Sequence, residues 1–212
     1  AVNPGKVGSA LALRDGKLIS TQNSFTKMRA VDSTLIFSSL DWIKGSLLAT
    51  SGKSLYRSSD LGLTWKKMSD FPEATSTVTQ SSKIIAVVAG NSIYKSTDGG
   101  ATFSSVSGYI GGPLSMHVDN QDFRVIGNDT WITTDGGIYH SNDFFTTEPE
   151  FRMSGVHGSD YWGFGSGWNE DVLVGGLYHN GNLAYHENYG AGNFLELGGG
   201  EAATGYVNPG KN

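Results

Sequence analysis

The chain has 212 residues, 17% of them charged, with Lys+Arg 15 against Asp+Glu 20 and a formal net charge of -5. No basic cluster exceeds Lys66-Lys67, so there is no face to displace counterions from a phosphate backbone and nucleic acid is excluded as a partner; no apolar run approaches a membrane span. Cys 0 excludes disulfides, thiolate metal sites and a cysteine nucleophile, without fixing a compartment. Gly 30, with abundant Ser, Thr, Tyr and Phe, predicts short strands joined by tight turns: an all-β chain forming one domain or a piece of one.

The N-terminal AVNPGKVGSA has no charged-then-apolar signal layout. Its VNPGK, Val2 to Lys6, returns at Val207 to Lys211, either as a chance recurrence in a glycine-rich chain or as one turn used in successive structural units. GKLISTQNSFTKM (16 to 28) reads as a degenerate first copy of a repeat. SGKSLYRSSDLGLTWKKM (51 to 68) and AGNSIYKSTDGGATFSSV (89 to 106) are strong copies that superpose without a gap. DGGIYHSNDFFTT (135 to 147) and NGNLAYHENYGAGNF (180 to 194) are weaker ones. The equivalent positions Ile19, Tyr56, Tyr94, Tyr139 and Tyr185 follow at steps of 37, 38, 45 and 46 residues, a spacing that suits a four-stranded propeller blade. Before each motif lies a strand-like run: GSLLATS, KIIAVVAG, DTWITTD and EDVLVGG. KIIAVVAG is apolar at consecutive positions, as expected of a strand buried on both faces. The expected blades are 1–32, 33–70, 71–107, 108–153 and 154–197, with 198–212 starting or closing another, in one propeller or a segment of a larger one.

SSDLGLTW (Ser58 to Trp65) and STDGGATF (Ser96 to Phe103) follow the pattern Ser-x-Asp-x-Gly-x-Thr-aromatic. A carboxylate after a strand accepts bonds from the following turn, Gly62 or Gly100 takes positive φ, and Trp65 or Phe103 drops between sheets. Ser58, Asp60, Gly62, Thr64 and Trp65, and their counterparts Ser96, Asp98, Gly100, Thr102 and Phe103, are therefore expected to be structural. Asp143 keeps the acid but has Phe145 in place of Gly, and the last copy replaces the acid by Asn188 or Tyr189, so both turns are expected to be looser or differently built. Arg57, Lys95, His140 and His186 share one register after the repeated Tyr, which predicts a solvated blade edge.

The motif resembles the Asp box of BNR-repeat propellers, found in sialidases, sortilin-like receptors and glycoside hydrolase family 74. The likeness extends over about residues 46 to 212. HVDNQDFRVIGNDTWITTDGGIYHSND (117 to 143) is similar to a segment of sortilin-like and family 74-like bacterial repeats in which His-x-Asp-x-His-Asp precedes a strand. Here Gln121 replaces the second His, His179 stands where an acid is expected, and Glu201 is displaced from the usual Asp. The resemblance implies an exported bacterial protein at the cell surface or outside the cell.

Two regions are candidate sites. His117, Asp119 and Asp122 form a loop mouth in which a histidine beside carboxylates suits a cation or acid-base chemistry, the alternative being a hydrogen-bonded turn. Alternation puts His117 and Asp119 on one side and Asp122 opposite unless a turn intervenes. In GSDYWGFGSGWNED (158 to 171), Tyr161, Trp162 and Trp168 offer flat faces to a sugar ring or a protein, the alternative being packing between blades. Tyr161 and Trp162 point oppositely in a regular strand, so one of them is expected in the core. His179 and Asn180 complete the ligand-binding candidates; Asp119, Asp135 and Glu201 are the catalytic ones.

Arg14, Arg29, Arg57, Arg124 and Arg152 supply no recognisable arginine triad, which excludes a sialidase. A family 74-like endoglucanase needs two carboxylates across a glycosidic bond, drawn in that family from two facing propellers. Three readings remain open: non-catalytic binding or scaffolding of glycan or protein at the cell surface, with further propeller segments or chains as partners; a fragment of a polysaccharide hydrolase; and sortilin-like peptide binding. No cofactor or metal is indicated; structural Ca²⁺ or Na⁺ is compatible with the acidic turns.

Overall fold

The computed structural model describes residues 8–22, 26–31, 34–43, 45–81, 84–106, 116–117, 119–156, 161–168, 171–177, 181–198 and 205–207. Ala1–Met153 and Ser154–Asn212 form two compact units. Most of both VNPGK copies, together with His179, Asn180 and Glu201, lies outside the described residues.

The first unit holds four antiparallel sheets. The first is β1 (Ala10–Arg14), β2 (Lys17–Thr21) and β3 (Arg29–Ala30); the second is β4 (Ser39–Ile43), β5 (Ser46–Ser51), β6 (Ser54–Ser58) and β7 (Lys66–Asp70). The third is β8 (Thr75–Ser81), β9 (Ile84–Ala89), β10 (Ser92–Ser96) and β11 (Ser104–Ser105), and the fourth β12 (Asn120–Ile126), β13 (Asp129–Thr134), β14 (Gly137–Ser141) and β15 (Glu150–Phe151). In the second unit β16 (Tyr161–Ser166), β17 (Val172–Leu177), β18 (Gly181–His186) and β19 (Leu195–Gly198) make one more. Every sheet runs in chain order, the meander of a propeller blade, and the fold is that of a β-propeller.

Alternate residues of the central strands enter different cores. On β9, Ile85, Val87 and Ala89 join Leu48, Leu55 and Phe71 of the second sheet's side, whereas Ala86 and Val88 join Phe123, Ile132 and Tyr139 of the fourth sheet. On β5, Leu48 faces the third sheet while Leu47 and Ala49 pack with Leu11 and Leu18 of the first. The run of consecutive apolar residues in KIIAVVAG thus reflects a strand with a hydrophobic neighbour on each face.

Polar side chains tie adjacent sheets. The Gln80 amide nitrogen donates to Asp41 Oδ2 at 2.6 Å, and its side-chain Nε2 donates to the carbonyls of Asp41 and Ser46, both at 3.1 Å. Burial raises the Asp41 pKa above its ordinary value, against hydrogen bonds from Gln80 and Trp42 that lower it. Arg57 donates to the Gly99 carbonyl at 2.8 Å and Lys95 to the Phe144 carbonyl at 3.0 Å, each reaching the turn of the following sheet. The expected solvated edge is therefore corrected: at this register the basic groups bridge sheets. His140 instead stays within its own sheet, between Glu150 at 3.2 Å and Asp129 at 3.1 Å and tilted against Trp131 at 4.3 Å between centroids.

In the second unit, a Cβ on Gly165 would lie 3.0 Å from both the Gly205 carbonyl oxygen and the Val207 amide nitrogen. The segment 205–207 can cross β16 only because that position has no side chain.

Candidate functional site

The repeated aspartates are built into their own turns. Asp60 Oδ1 accepts from Ser58 Oγ at 2.7 Å and the Thr64 amide at 2.9 Å, and Oδ2 from Thr64 Oγ1 at 2.6 Å. Asp98 accepts from Ser96 Oγ at 2.7 Å, the amides of Ala101 and Thr102 at 2.9 and 3.0 Å, and Thr102 Oγ1 at 2.6 Å. Hydrogen bonds to the ionised form hold the Asp60 carboxyl down to about 2, Thr64 contributing most, and hold Asp98 lower still, Thr102 contributing most. Gly62 and Gly100 sit at φ 90 and 92. Trp65 packs at a tilt on Phe37 at 4.6 Å and Phe103 meets Phe71 edge-on at 5.3 Å, so both aromatics enter the space between sheets.

The Ser of each motif is buried and its oxygen accepts the amide of the residue four positions on: Gly62 at 2.8 Å, Gly100 at 2.7 Å and Phe145 at 2.8 Å. Ser96→Ala leaves the buried Gly100 amide without its acceptor and is expected to lower stability by about 1–3 kcal/mol, measured by urea unfolding.

The third turn corrects an expectation. It is not looser, because Asp143 accepts from Ser141 Oγ at 2.9 Å, the amides of Thr146 and Thr147 at 3.1 Å, and Thr147 Oγ1 at 2.7 Å. Phe144 and Phe145 both adopt φ 57, the conformation that glycine supplies elsewhere, and both rings are buried against Phe123. Hydrophobic burial holds two phenylalanines in a backbone region they otherwise avoid. The last copy is differently built, as expected: a short 3-10 turn, Glu187–Tyr189, is capped by His186 Nδ1, which accepts from the Asn188 amide at 3.1 Å.

Only part of the predicted loop mouth gathers at one hairpin. His117 lies over the β13–β14 turn, where a Cβ on Gly136 would meet its imidazole, and its amide donates to Tyr139 Oη at 3.3 Å. Gln121 donates to Asp135 Oδ1 at 2.7 Å in the same turn. Asp119, just before β12, is held at φ 60. Asp122 leaves this group: its carboxylate pairs with Arg124 at 3.2 Å and accepts from the Phe123 amide at 2.9 Å. Among the described residues, no cluster of three or more His, Cys, Asp or Glu side chains has the arrangement of a metal site.

In the second unit Tyr161 and Trp162 are 46% and 60% exposed, and Trp168 is 81% exposed, so the expectation that Tyr161 or Trp162 is core is overturned. The reason is an irregularity between Tyr161 and Gly163, which breaks strict alternation and leaves Tyr161 and Phe164 in edge contact at 6.2 Å. The Tyr161 ring covers Gly175 on the neighbouring strand.

Sequence patterning missed this feature, and it recurs. Register shifts fall between Thr75 and Thr77 on β8, Asn120 and Asp122 on β12, and Tyr161 and Gly163 on β16. Ser76, Gln121 and Trp162 are thus the bulged second residues of the first strands of three successive sheets. A bulge re-aims the side chain that it carries. The two candidate regions of the sequence therefore occupy the same station of two different sheets.

No protein-family model and no curated protein matches the chain. Among solved structures it is similar to an ancestral GH74 enzyme, with 12% identity and TM-score 0.56 over 99% of this chain and 32% of that one. It is also similar to a chain of a nidogen/laminin complex, with 12% identity and TM-score 0.56 over 94% of this chain and 82% of that one. Similarity to U3-55K is 10% identity and TM-score 0.52 over 84% and 58%. The chain spans about a third of the length of the GH74 enzyme chain. At these identities the likeness is one of fold, and the class it defines is the β-propeller. No helix among the described residues is long and apolar enough to cross a membrane.

Proposed function

We propose that the chain is an Asp-box (BNR-repeat) propeller, or part of a longer one, from an exported bacterial protein, and that it binds a glycan or protein at the cell surface without chemical turnover. The observation that carries this reading is the bulge that begins β12 and β16: it presents Gln121 beside Asp135 and His117 in one sheet, and exposed Trp162 beside Tyr161 in another. Within the second unit, exposed rings flanked by glycine offer flat apolar faces to a sugar ring; within the first, an amide, a carboxylate and an imidazole offer hydrogen-bonding partners of their own. A non-catalytic role is supported by the engagement of the acids: Asp60, Asp98 and Asp143 by their turns, Asp122 by Arg124 and Asp135 by Gln121. A protein partner is a second reading, favoured by the fold shared with a chain of a nidogen/laminin complex.

Affinity electrophoresis through gels containing soluble cell-surface or plant polysaccharides tests the proposal. Retardation is expected, with Trp162→Ala and Tyr161→Ala each weakening it about tenfold and no new reducing ends appearing. Retardation unchanged in both variants would refute the aromatic site, and release of reducing ends would favour the hydrolase reading.

A further inference from the structure

A cleft of about 630 Å³ lies in the first unit, where the ends of β1, β2 and β3 meet the turn after β6. Its volume suits a compact small molecule. Leu11, Leu61 and Leu63 give it an apolar wall; Ser20, Gln22 and Arg29 give it a polar one.

The apolar wall is not explained by the fold. In the sister turn, the positions of Leu61 and Leu63 are Gly99 and Ala101. Leu61 is held at φ 63, a conformation that costs a side-chain-bearing residue about 1–2 kcal/mol. Phe144, at the same position of the third turn, offsets that cost by burial, but Leu61 is 44% exposed and Leu63 71% exposed. Neither leucine joins a core cluster. An exposed leucine pair, with Leu61 strained, where the related turn has Gly and Ala is the mark of a contact surface rather than of packing.

Charge selects the occupant. Arg29 sits on an exposed two-residue strand, and its guanidinium forms no ion pair among the described residues. Asp60 also lines the cleft, its oxygens already accepting from Ser58 and Thr64, and its negative charge disfavours an anion at that end. A carboxylate is thereby directed to Arg29, whose fork binds it with two parallel hydrogen bonds, and a hydrocarbon group is left beside Leu61 and Leu63. We propose that this cleft binds a small apolar carboxylate in that orientation.

The test is a ¹H–¹⁵N NMR titration of the full chain with octanoate, with octanamide as the uncharged control. Saturable shifts are expected at Arg29, Leu61 and Leu63, with octanamide binding about tenfold more weakly. Arg29→Gln removes that difference, and Leu63→Asn weakens both ligands. Both substitutions are at exposed positions, so unchanged signals elsewhere verify that the fold is intact. Acetyl-alanyl-leucine, run in parallel, distinguishes sources: tighter binding than octanoate indicates the end of a polypeptide, weaker binding a free acid. Equal binding of octanoate and octanamide, shifts confined to other residues, or no saturation at millimolar ligand would each overturn the proposal.

Discussion

Phe123→Ala is expected to lower stability by about 3–5 kcal/mol. Phe123 is 1% exposed and lies in the cluster shared by the third and fourth sheets, where it contacts Phe144 at 6.3 Å and Phe145 at 5.8 Å between centroids. Truncation removes the ring's transfer energy and leaves a cavity between two sheets whose backbones are fixed by their own ladders, so collapse recovers little. Urea unfolding followed by fluorescence and circular dichroism checks it. A loss below about 1 kcal/mol would mean that the sheets are not packed through this ring.

The second large effect separates burial from backbone strain. Phe145→Gly supplies the residue found in the sister turns and relieves about 1–2 kcal/mol of left-handed strain, but it forfeits the burial of a phenyl ring worth about 3–5 kcal/mol. The net expectation is a loss of about 1–4 kcal/mol. Leu61→Gly relieves the same strain at an exposed position, where little packing is lost, and is expected to raise stability by about 0.5–1 kcal/mol. Opposite signs for these two substitutions would establish that the third turn keeps its shape because of its core. A gain in both would show that the phenylalanines contribute strain and nothing more.

Much of this was legible in the sequence because the repeat and the strand patterning agree. The aligned Tyr residues and the Ser-x-Asp turns follow from local chemistry: a short acid, a hydroxyl and a glycine can be satisfied within eight residues. KIIAVVAG likewise announces its two buried faces by composition alone. What stayed hidden depends on register. One extra residue in a strand changes which face every later side chain occupies, so Tyr161 and Trp162 could not be sorted into core and surface by alternation. Gln121, read as a substitution for a lost histidine, is in the structure the partner of Asp135. Nor does the sequence announce the bridges of Arg57 and Lys95, because contacts with carbonyls 42 and 49 residues away leave no local pattern.

The turns also determine how the molecule responds to acid. Asp60, Asp98 and Asp143 all have folded-state pKa values lowered by hydrogen bonds from their own turns. For a carboxyl depressed on folding, the stabilisation is present above the unfolded value near 3.8 and is lost as pH falls toward the folded one, about 2 for Asp60. Asp41 acts in the opposite sense: burial raises its pKa, so its protonation on acidification favours the folded state. The three turn acids outnumber it, and stability is expected to fall between about pH 4 and 2.

The central claim is that the repeated aspartates are parts of the scaffold, ionised and held by their turns, and are not catalytic acids. A ¹³C NMR titration of the aspartate side-chain carboxyls tests it most directly. Asp60 is predicted to titrate at about 2 and Asp98 below it. Midpoints near the ordinary 3.8, or a raised value suited to proton donation, would contradict it.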